Sequence, residues 1–287
     1  VRQLEGVTQI DSTKKELSWW DRSLQGYMET YSTDSLSLQP ACVRLKNQFE
    51  FSLFDKLNAR DIFEYDGIFY RYTYYTSNEV NQFVGMEKIR RQVAALKQFQ
   101  EKLNPDSIPI YIIIAPTKLH AYASQLPSFN RTKSERTNYH QYKRLLHEAG
   151  IRVIDTDGWF QRDKAKLKAP ALSTGGIHWT LYGSALAMDS LVKRIRHDKQ
   201  IDFQPVEMKL REAYSLYPQD MDAVNLCNLM YPPTDKRLRV VDFPEPAVRK
   251  RHIRPVVISD SFFNAIAWTP LHNQIFDPET PFYYYFR

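Results

Sequence analysis

An unbroken apolar run at residues 108–115, I-P-I-Y-I-I-I-A, places the strongest constraint on the fold. Such a run, with no alternating polar residues, is typical of a β-strand that is buried on both faces of a parallel sheet. The pattern at 134–149 then predicts a helix that stops at Gly150, and R-V-I-D at 152–155 predicts the next strand. A strand, a helix and a strand in this order indicate a right-handed parallel unit.

Other patterns extend this α/β arrangement along the chain. Amphipathic periodicity predicts helices over 78–103 and 180–197, and Asp66-Gly67 between two β-like runs predicts a hairpin over 62–75. The apolar residues 255–258 predict a further short strand. These elements predict an α/β layered fold with a mainly parallel central sheet flanked by helices.

We expect one domain over residues 1–287. Within it, residues 1–77 form a helical and hairpin lead-in, with helices around 19–31 and 43–57. Residues 200–250 are rich in proline and are predicted to be irregular. A long loop of that kind in a compact domain is often functional.

Composition excludes several functional classes. The chain has 287 residues, 43% apolar and 25% charged, as an ordinary globular protein has. Its formal net charge of +6 is spread out and accompanies no zinc-finger or RNA-binding signature, which argues against a nucleic-acid partner. No run of apolar residues is long enough to span a membrane. Cys42 and Cys227 have no metal-ligand spacing, and the sequence leaves open a disulfide or two thiols.

A candidate nucleophile lies in the stretch P-V-V-I-S-D-S-F-F-N at 255–264. Ser261 follows the predicted strand directly, so its hydroxyl would be held on a rigid element and would point away from the core. A serine hydroxyl is a weak nucleophile until a base is aligned with it, and catalysis therefore needs this kind of placement. The alternative is an ordinary polar loop after a strand.

A candidate base lies in T-G-G-I-H-W-T-L-Y-G at 174–183. The imidazole of His178 could take a proton from Ser261 if the fold joins the two, because triads are defined by geometry and not by spacing. The alternative is a packed histidine at a helix start. Lys118, in the turn after the strand at 108–115, is also expected at the carboxyl edge of the sheet, where ligands bind in α/β folds.

Four segments of the chain resemble those of a known family. They are residues 112–127, 139–155, 176–183 and 256–262. They are similar to the strand with its Pro-x-Lys turn, the helix and strand ending in Asp, the His-Trp-Thr block and the nucleophile block of the SGNH-hydrolase-like polysaccharide O-acetyltransferases of the alginate acetylation type. Residues 43–75 also resemble the lead-in segment of related bacterial proteins.

The resemblance implies that Ser261 is the nucleophile and His178 the general base. The family usually has an aspartate two residues before the histidine, where this chain has Gly176. Either another acid serves, or a Ser-His pair works alone, or catalysis has been lost. Three aspartates are candidates for the acid, and Asp222 is favoured because long loops over an α/β sheet often contribute to the site. The candidates are Asp222, Asp155 and Asp260.

The resemblance also implies the reaction. Ser261 would accept an acetyl group, and His178 would shuttle the proton as a sugar hydroxyl takes the acetyl. The oxyanion donors would be the Ser261 N–H and the Asn225 amide. Trp179 and Lys118 are candidate substrate contacts, although a purely structural role is favoured for Lys118. No cofactor or metal is implied, since the chain has no glycine-rich phosphate loop and no His/Cys/Asp cluster.

The setting that the resemblance implies is extracytoplasmic. Members of the family work on an exopolysaccharide in the periplasm, beside a membrane-bound acyl-transfer protein that supplies the acetyl group. The chain starts at Val1 without a signal-peptide pattern, so we expect any membrane anchor to lie in a segment absent here. Two other functions remain open, namely a carbohydrate acetyl esterase and a non-catalytic polysaccharide-binding protein of the same fold.

Overall fold

The computed structural model describes residues 4–5, 38–72, 83–106, 108–126, 137–200, 203–212, 217–244 and 253–285. The helix predicted around 19–31 lies outside these residues. Among the helices described, none combines the length and the apolar character needed to cross a lipid bilayer.

Helices and short strands are interspersed along the described chain. The helices are α1 (Leu38–Phe54), α2 (Met86–Leu103), α3 (Lys118–Ala121), α4 (Asn138–Glu148), α5 (Thr156–Arg162), α6 (Leu181–Lys199), α7 (Asp222–Leu226), α8 (Asn264–Ala267) and α9 (Pro270–Ile275). The strands are β1 (Ile62–Tyr65), β2 (Ile68–Arg71), β3 (Tyr111–Ile114), β4 (Arg152–Asp155), β5 (Lys209–Glu212), β6 (Arg239–Asp242), β7 (Val257–Ser259) and β8 (Phe282–Tyr284).

The predicted parallel unit is present as β3, α4 and β4. The two strands pair in parallel, with Ile112 opposite Val153. Strand β3 is shorter than the apolar run, because the N–H groups of Ile108 and Ile110 bond to the carbonyl of Leu103 and the side chain of Gln100 at the end of α2. All four β3 residues are only partly buried, so the prediction that this strand is buried on both faces is wrong.

Strand pairing departs from one continuous sheet. Within the described residues the strands form four two-stranded sheets: β3–β4 and β7–β8 are parallel, whereas β1–β2 and β5–β6 are antiparallel. The β1–β2 hairpin turns at Asp66-Gly67 as predicted, and both residues have positive φ angles of 52° and 74°. The segment expected to be irregular contains β5, α7 and β6, so that prediction is wrong in part.

Helix α6 forms the centre of the main hydrophobic core. It begins at the N-cap Thr180, whose hydroxyl accepts from the Gly183 N–H, and is buried along most of its first four turns. Apolar residues of α8 and α9 belong to the same cluster. The buried members from α6, α8 and α9 include Leu181, Ala185, Met188, Leu191, Val192, Ile195, Ile266, Leu271 and Ile275. Because α6 is fixed in this way, the residues just before it have a rigid support.

A second buried cluster packs α7 against the β1–β2 hairpin. It contains Val224 and Cys227 from the α7 region and Phe69 from β2. Both cysteines are free thiols, which decides the question that the sequence left open. Cys42 is exposed, and burial raises the pKa of the Cys227 thiol to about 12.

Gly183 is the position where the helix start tolerates no side chain. A Cβ there would lie well inside van der Waals contact of the Ala171 carbonyl oxygen, which also accepts from the Thr180 N–H. Alanine is normally the better helix former by about 1 kcal/mol. We nevertheless expect Gly183→Ala to lower the free energy of unfolding by about 1–3 kcal/mol, because the backbone at Ala171 or at the helix start must move to make room for the methyl group. Urea unfolding measures this, with Lys193→Ala on the exposed side of α6 as the control; a more stable Gly183→Ala protein would contradict the expectation.

Candidate active site

Ser261 opens a short 3₁₀ turn, Ser261–Phe263, directly after β7. Asp260 fixes the turn, since its carboxylate accepts from the Phe262 N–H at 3.0 Å. The N–H of Ser261 itself donates no hydrogen bond within the part of the chain that the structure describes. Strand β7 is less buried than expected: the Ile258 side chain is 70% exposed. The serine is therefore held by the capped turn more than by a buried strand.

Ser261, His178 and Asp222 form one continuous chain of hydrogen bonds. The Ser261 Oγ lies 2.8 Å from His178 Nε2, and His178 Nδ1 lies 2.5 Å from Asp222 Oδ2. Because an ionised carboxylate can only accept, the neutral ring carries its hydrogen on Nδ1 and presents a lone pair to the serine hydroxyl. The side chains of His178 and Asp222 keep 22% and 25% of their surface exposed, so the site can be reached from solvent.

Asp222 is the first residue of α7, and both of its carboxylate oxygens are used. Its Oδ1 accepts from the Ile177 N–H at 2.5 Å, while Oδ2 faces the imidazole. One side chain thus fixes both the backbone before His178 and the ring itself. The other two candidate acids lie elsewhere: Asp155 caps α5 and bonds to Lys143, and Asp260 caps the serine turn.

Gly176, where the family resemblance led us to expect an aspartate, leaves no room for a side chain. A Cβ there would lie 2.8 Å from Ser173 Oγ and 2.9 Å from the Asp220 carbonyl oxygen. The Gly176 N–H donates to Ser173 Oγ at 2.6 Å, so the backbone at Gly176 packs directly against the Ser173 side chain. An aspartate does not fit at residue 176, and the carboxylate at the imidazole comes from Asp222 on another segment.

The aromatic residues of the site hold its two halves together. The indole N–H of Trp179 donates to the Phe262 carbonyl at 2.9 Å, and Trp179 is only 3% exposed. The Phe262 ring meets the His178 ring edge-on, with centroids 4.9 Å apart. Trp179 therefore joins the histidine segment to the serine turn from within the core, and its prediction as a substrate contact is wrong.

Lys118 is buried beneath the histidine loop. Its ammonium group lies 2.6–2.7 Å from three carbonyl oxygens, those of Phe69, Thr174 and Gly176. Burial lowers its pKa to about 7, against the nearby carboxylates of Asp222 and Asp235, which favour the charged form. Its three donors are all used, so a substrate-binding role for Lys118 is wrong, and the structural role that the sequence favoured is the one its contacts show.

Asn225 is bonded to the chain segment just before its own helix. It lies on α7, and its side-chain amide donates to the Pro218 carbonyl at 3.3 Å. No hydrogen bond in the described part of the chain joins it to Ser261 or His178. The role of Asn225 as an oxyanion donor stays a prediction, because such a donor would point at the substrate oxygen and not at the serine or the imidazole. No group of His, Cys, Asp and Glu side chains in the described ranges is arranged to hold a metal ion.

Asp220 is a residue of this site that the sequence analysis missed. It is buried, and its carboxylate accepts from the Leu181 N–H at the start of α6, at 3.1 Å. Its backbone carbonyl accepts from the Ser173 hydroxyl. Burial, with a smaller contribution from Asp222, raises its pKa to about 7. Two aspartates one residue apart in the Asp-Met-Asp sequence were the available signal.

The comparison with protein families decides the relationship. Residues 69–250 match the model described as ALGX, an SGNH hydrolase-like domain of the acetyltransferase AlgX. The chain belongs to this family. Its fold is accordingly SGNH hydrolase-like, as predicted. The matched range includes His178 and Asp222 and ends before Ser261, whose hydroxyl is hydrogen-bonded to His178.

Three solved structures are similar over most of the chain. The O-acetyltransferase domain of Pseudomonas putida AlgJ is 16% identical, with 77% of this chain and 76% of that chain covered and a TM-score of 0.49. Bacillus cereus PatB1 is 12% identical, with 75% and 84% covered and a TM-score of 0.48. Pseudomonas aeruginosa AlgX is 13% identical, with 77% and 53% covered and a TM-score of 0.42. No curated protein sequence matches the chain significantly.

Replacing Lys118 with methionine tests the support under the loop. Lys118→Met leaves the carbonyls of Phe69 and Gly176 without their buried donor, so we expect the free energy of unfolding to fall by at least about 2 kcal/mol. Urea unfolding measures this, and Lys97→Met, at an exposed position of α2, is the matched control. A midpoint equal to that of the control variant would contradict the role.

The raised pKa of Asp220 predicts a pH dependence. Its folded value of about 7 lies above the ordinary 3.8, so the folded state binds more protons between these values and loses stability as pH rises from about 4 to 7. Asp220→Asn keeps an acceptor for the Leu181 N–H and removes the charge. We expect the free energy of unfolding of Asp220→Asn to rise relative to that of the wild type by roughly a few kcal/mol as the pH goes from 4 to 7.

Unfolding curves at several pH values measure that gain. Asp163→Asn is the control, because the contact with Lys166 lowers the pKa of Asp163. The stability that this carboxylate contributes is lost as the pH falls, which is the opposite of the dependence expected for Asp220. A constant stability difference between Asp220→Asn and wild type from pH 4 to 7 would show that Asp220 ionises normally.

Proposed function

We propose that this protein is an O-acetyltransferase that acetylates a polysaccharide through an acyl-enzyme on Ser261. The observation that carries the proposal is the hydrogen-bond chain from Ser261 through His178 to Asp222, within a domain of the AlgX acetyltransferase family. A serine hydroxyl, a correctly held imidazole and a carboxylate behind it are the groups that acyl transfer requires.

The first step of the proposed reaction acylates the serine. His178 Nε2 takes the hydroxyl proton as Ser261 Oγ attacks the acetyl carbonyl, and Asp222 stabilises the imidazolium that forms. The Ser261 N–H is the donor available for the oxyanion. The imidazolium then returns its proton to the leaving group. Asp222 also accepts from the Ile177 N–H, so its carboxylate is held in place beside the ring.

The second step transfers the acetyl group. A sugar hydroxyl enters beside the acyl-enzyme, His178 removes its proton, and its oxygen attacks the acetyl carbonyl. Collapse of the intermediate breaks the bond to Ser261 Oγ, which recovers its proton from the imidazolium. The products are the acetylated sugar and the free serine. Water in place of the sugar would give acetate, so the same groups also serve an esterase.

The setting is part of the same proposal. The acceptor is an extracytoplasmic polysaccharide, and the acetyl group comes from a membrane-bound acyl-transfer protein. Residues 1–287 act as a single unit, with residues 1–77 as its lead-in. A non-catalytic binding protein was the alternative that Gly176 favoured; the carboxylate of Asp222 at the imidazole weakens that reading.

One assay tests the chemistry and the acceptor together. The protein is given a chromogenic acetyl ester with and without an oligosaccharide acceptor, and ester cleavage, free acetate and acetylated sugar are measured. We expect Ser261→Ala to lower ester turnover by at least about three orders of magnitude at unchanged unfolding midpoint. Ser259→Ala, two residues upstream, is the matched control, and its turnover should equal that of the wild type.

The product distribution separates the functions. Acetylated sugar formed at the expense of acetate supports the transferase, and acetate alone supports the esterase. Ester turnover in Ser261→Ala equal to that of the wild type would exclude the acyl-enzyme. A wild-type protein without turnover that still binds the oligosaccharide would make it a binding protein.

A further inference from the structure

A cavity of about 420 Å³ is lined by none of the three residues Ser261, His178 and Asp222. It is formed by α5, by the turn and extended segment that follow it, and by the residues that lead into β6. Its floor is apolar and buried, with Phe160, Ala169 and Leu172 among the lining residues. This volume falls within the range of small-molecule sites and exceeds what a single water or ion needs.

The rim of this cavity is strongly basic. Five cationic residues line it: Lys164, Lys168, Lys236, Arg237 and Arg239. The one acidic lining residue, Asp157, is only 2% exposed, and its carboxylate is already engaged by His120, Gln161 and the Thr117 N–H. Positive charge is therefore concentrated at the opening, in a chain whose basic residues are otherwise spread out.

Part of this charge is already neutralised or hydrogen-bonded. Arg237 pairs with the buried carboxylate of Asp235 at 2.7 Å, and Arg239 donates to the carbonyls of Lys236 and Leu238. The ammonium groups of Lys168 and Lys236 make no hydrogen bond or ion pair with the residues that the structure describes. These two side chains are exposed and can turn toward a ligand.

Lys164 lies at the cavity with a carbonyl, an aromatic ring and a second cation as its neighbours. Its ammonium group donates to the Ala121 carbonyl at 2.8 Å and lies 4.6 Å from the centroid of the Tyr122 ring. Partial burial lowers the pKa of Lys164, and the nearby Arg237 lowers it further. Like charges held close together in this way cost free energy that a bound anion would offset.

The cavity wall is continuous with the loop that carries His178. Leu172 forms a β-bridge with Trp179, the residue after the histidine. Asp235, the partner of Arg237, also accepts from the Thr174 N–H. A ligand held at the basic rim would therefore rest on the same backbone segment that supports the imidazole.

We propose that this cavity binds a negatively charged sugar unit, with its carboxylate or phosphate ester between Lys168 and Lys236. Lysine ammonium groups bind either anion as point charges, and the apolar floor suits the C–H face of a sugar ring. The site is separate from the acyl-transfer groups and does not depend on their chemistry. Its ligand is a further recognition element, and neutral sugars are bound weakly.

Titration calorimetry tests the site on the full chain. The probes are an oligoglucuronate, glucose 1-phosphate, inorganic phosphate and the neutral cellohexaose. We expect the two charged sugars to bind at least about tenfold more tightly than cellohexaose and inorganic phosphate, and their affinity to fall as salt screens the lysines. The stronger of the two identifies the anion as a carboxylate or a phosphate ester.

Charge-reversal variants locate the binding. Lys168→Glu with Lys236→Glu should weaken binding of the charged sugars by at least about tenfold, whereas Lys97→Glu with Lys209→Glu changes the net charge equally and should not. Both double variants should keep wild-type cleavage of the chromogenic ester without acceptor, so a failure here is distinct from a failure of the acyl-enzyme proposal. Equal binding of cellohexaose or of inorganic phosphate, equal losses in the two double variants, or wild-type affinity in Lys168→Glu/Lys236→Glu would each overturn the assignment.

Discussion

The carboxylate of Asp222 joins the parts of the site to one another. Its two oxygens bind the His178 ring and the Ile177 N–H, so a single side chain sets both the imidazole and the backbone from which the imidazole extends. A ring held at both nitrogens has one tautomer and one orientation, which is what proton transfer from Ser261 demands. Because Asp222 begins α7, the packing of that helix against the β1–β2 hairpin determines where the carboxylate lies.

A set of buried polar contacts keeps this loop in place. Lys118 donates to the carbonyls on either side of Gly175, the Ser173 hydroxyl bonds to both Gly176 and Asp220, and the Asp220 carboxylate caps the start of α6. Buried groups of this kind are costly when unpaired and rigid when paired. The loop before His178 is therefore fixed from below by a lysine and from the side by an aspartate, and neither of these takes part in the proposed acyl transfer.

The predictions that depended on neighbouring residues were the more accurate. The Asp66-Gly67 hairpin, the parallel pair formed by β3 and β4, and helix α6 follow from local periodicity and turn chemistry, and the structure contains all three. The prediction of Trp179 as a substrate contact was wrong, whereas Lys118 has the structural role that the sequence analysis favoured. Both residue types are able to bind a substrate, but in the fold the Trp179 N–H is used by the Phe262 carbonyl and the Lys118 ammonium group by three carbonyls. Burial and backbone acceptors from distant segments decide such roles, and a single sequence does not display them.

The sequence by itself determined the family blocks and the local settings of the two central residues, with Ser261 after a strand and its polar turn and His178 just before a helix. Only the tertiary structure decided that they meet, and that Asp222 supplies the carboxylate which Gly176 cannot. The physical reason is space: a side chain at residue 176 would collide with Ser173 and the Asp220 carbonyl, so the acid has to come from a segment that packs beside the loop. Contacts of this kind join residues far apart in the chain, and the packing of whole elements fixes them where local pattern cannot.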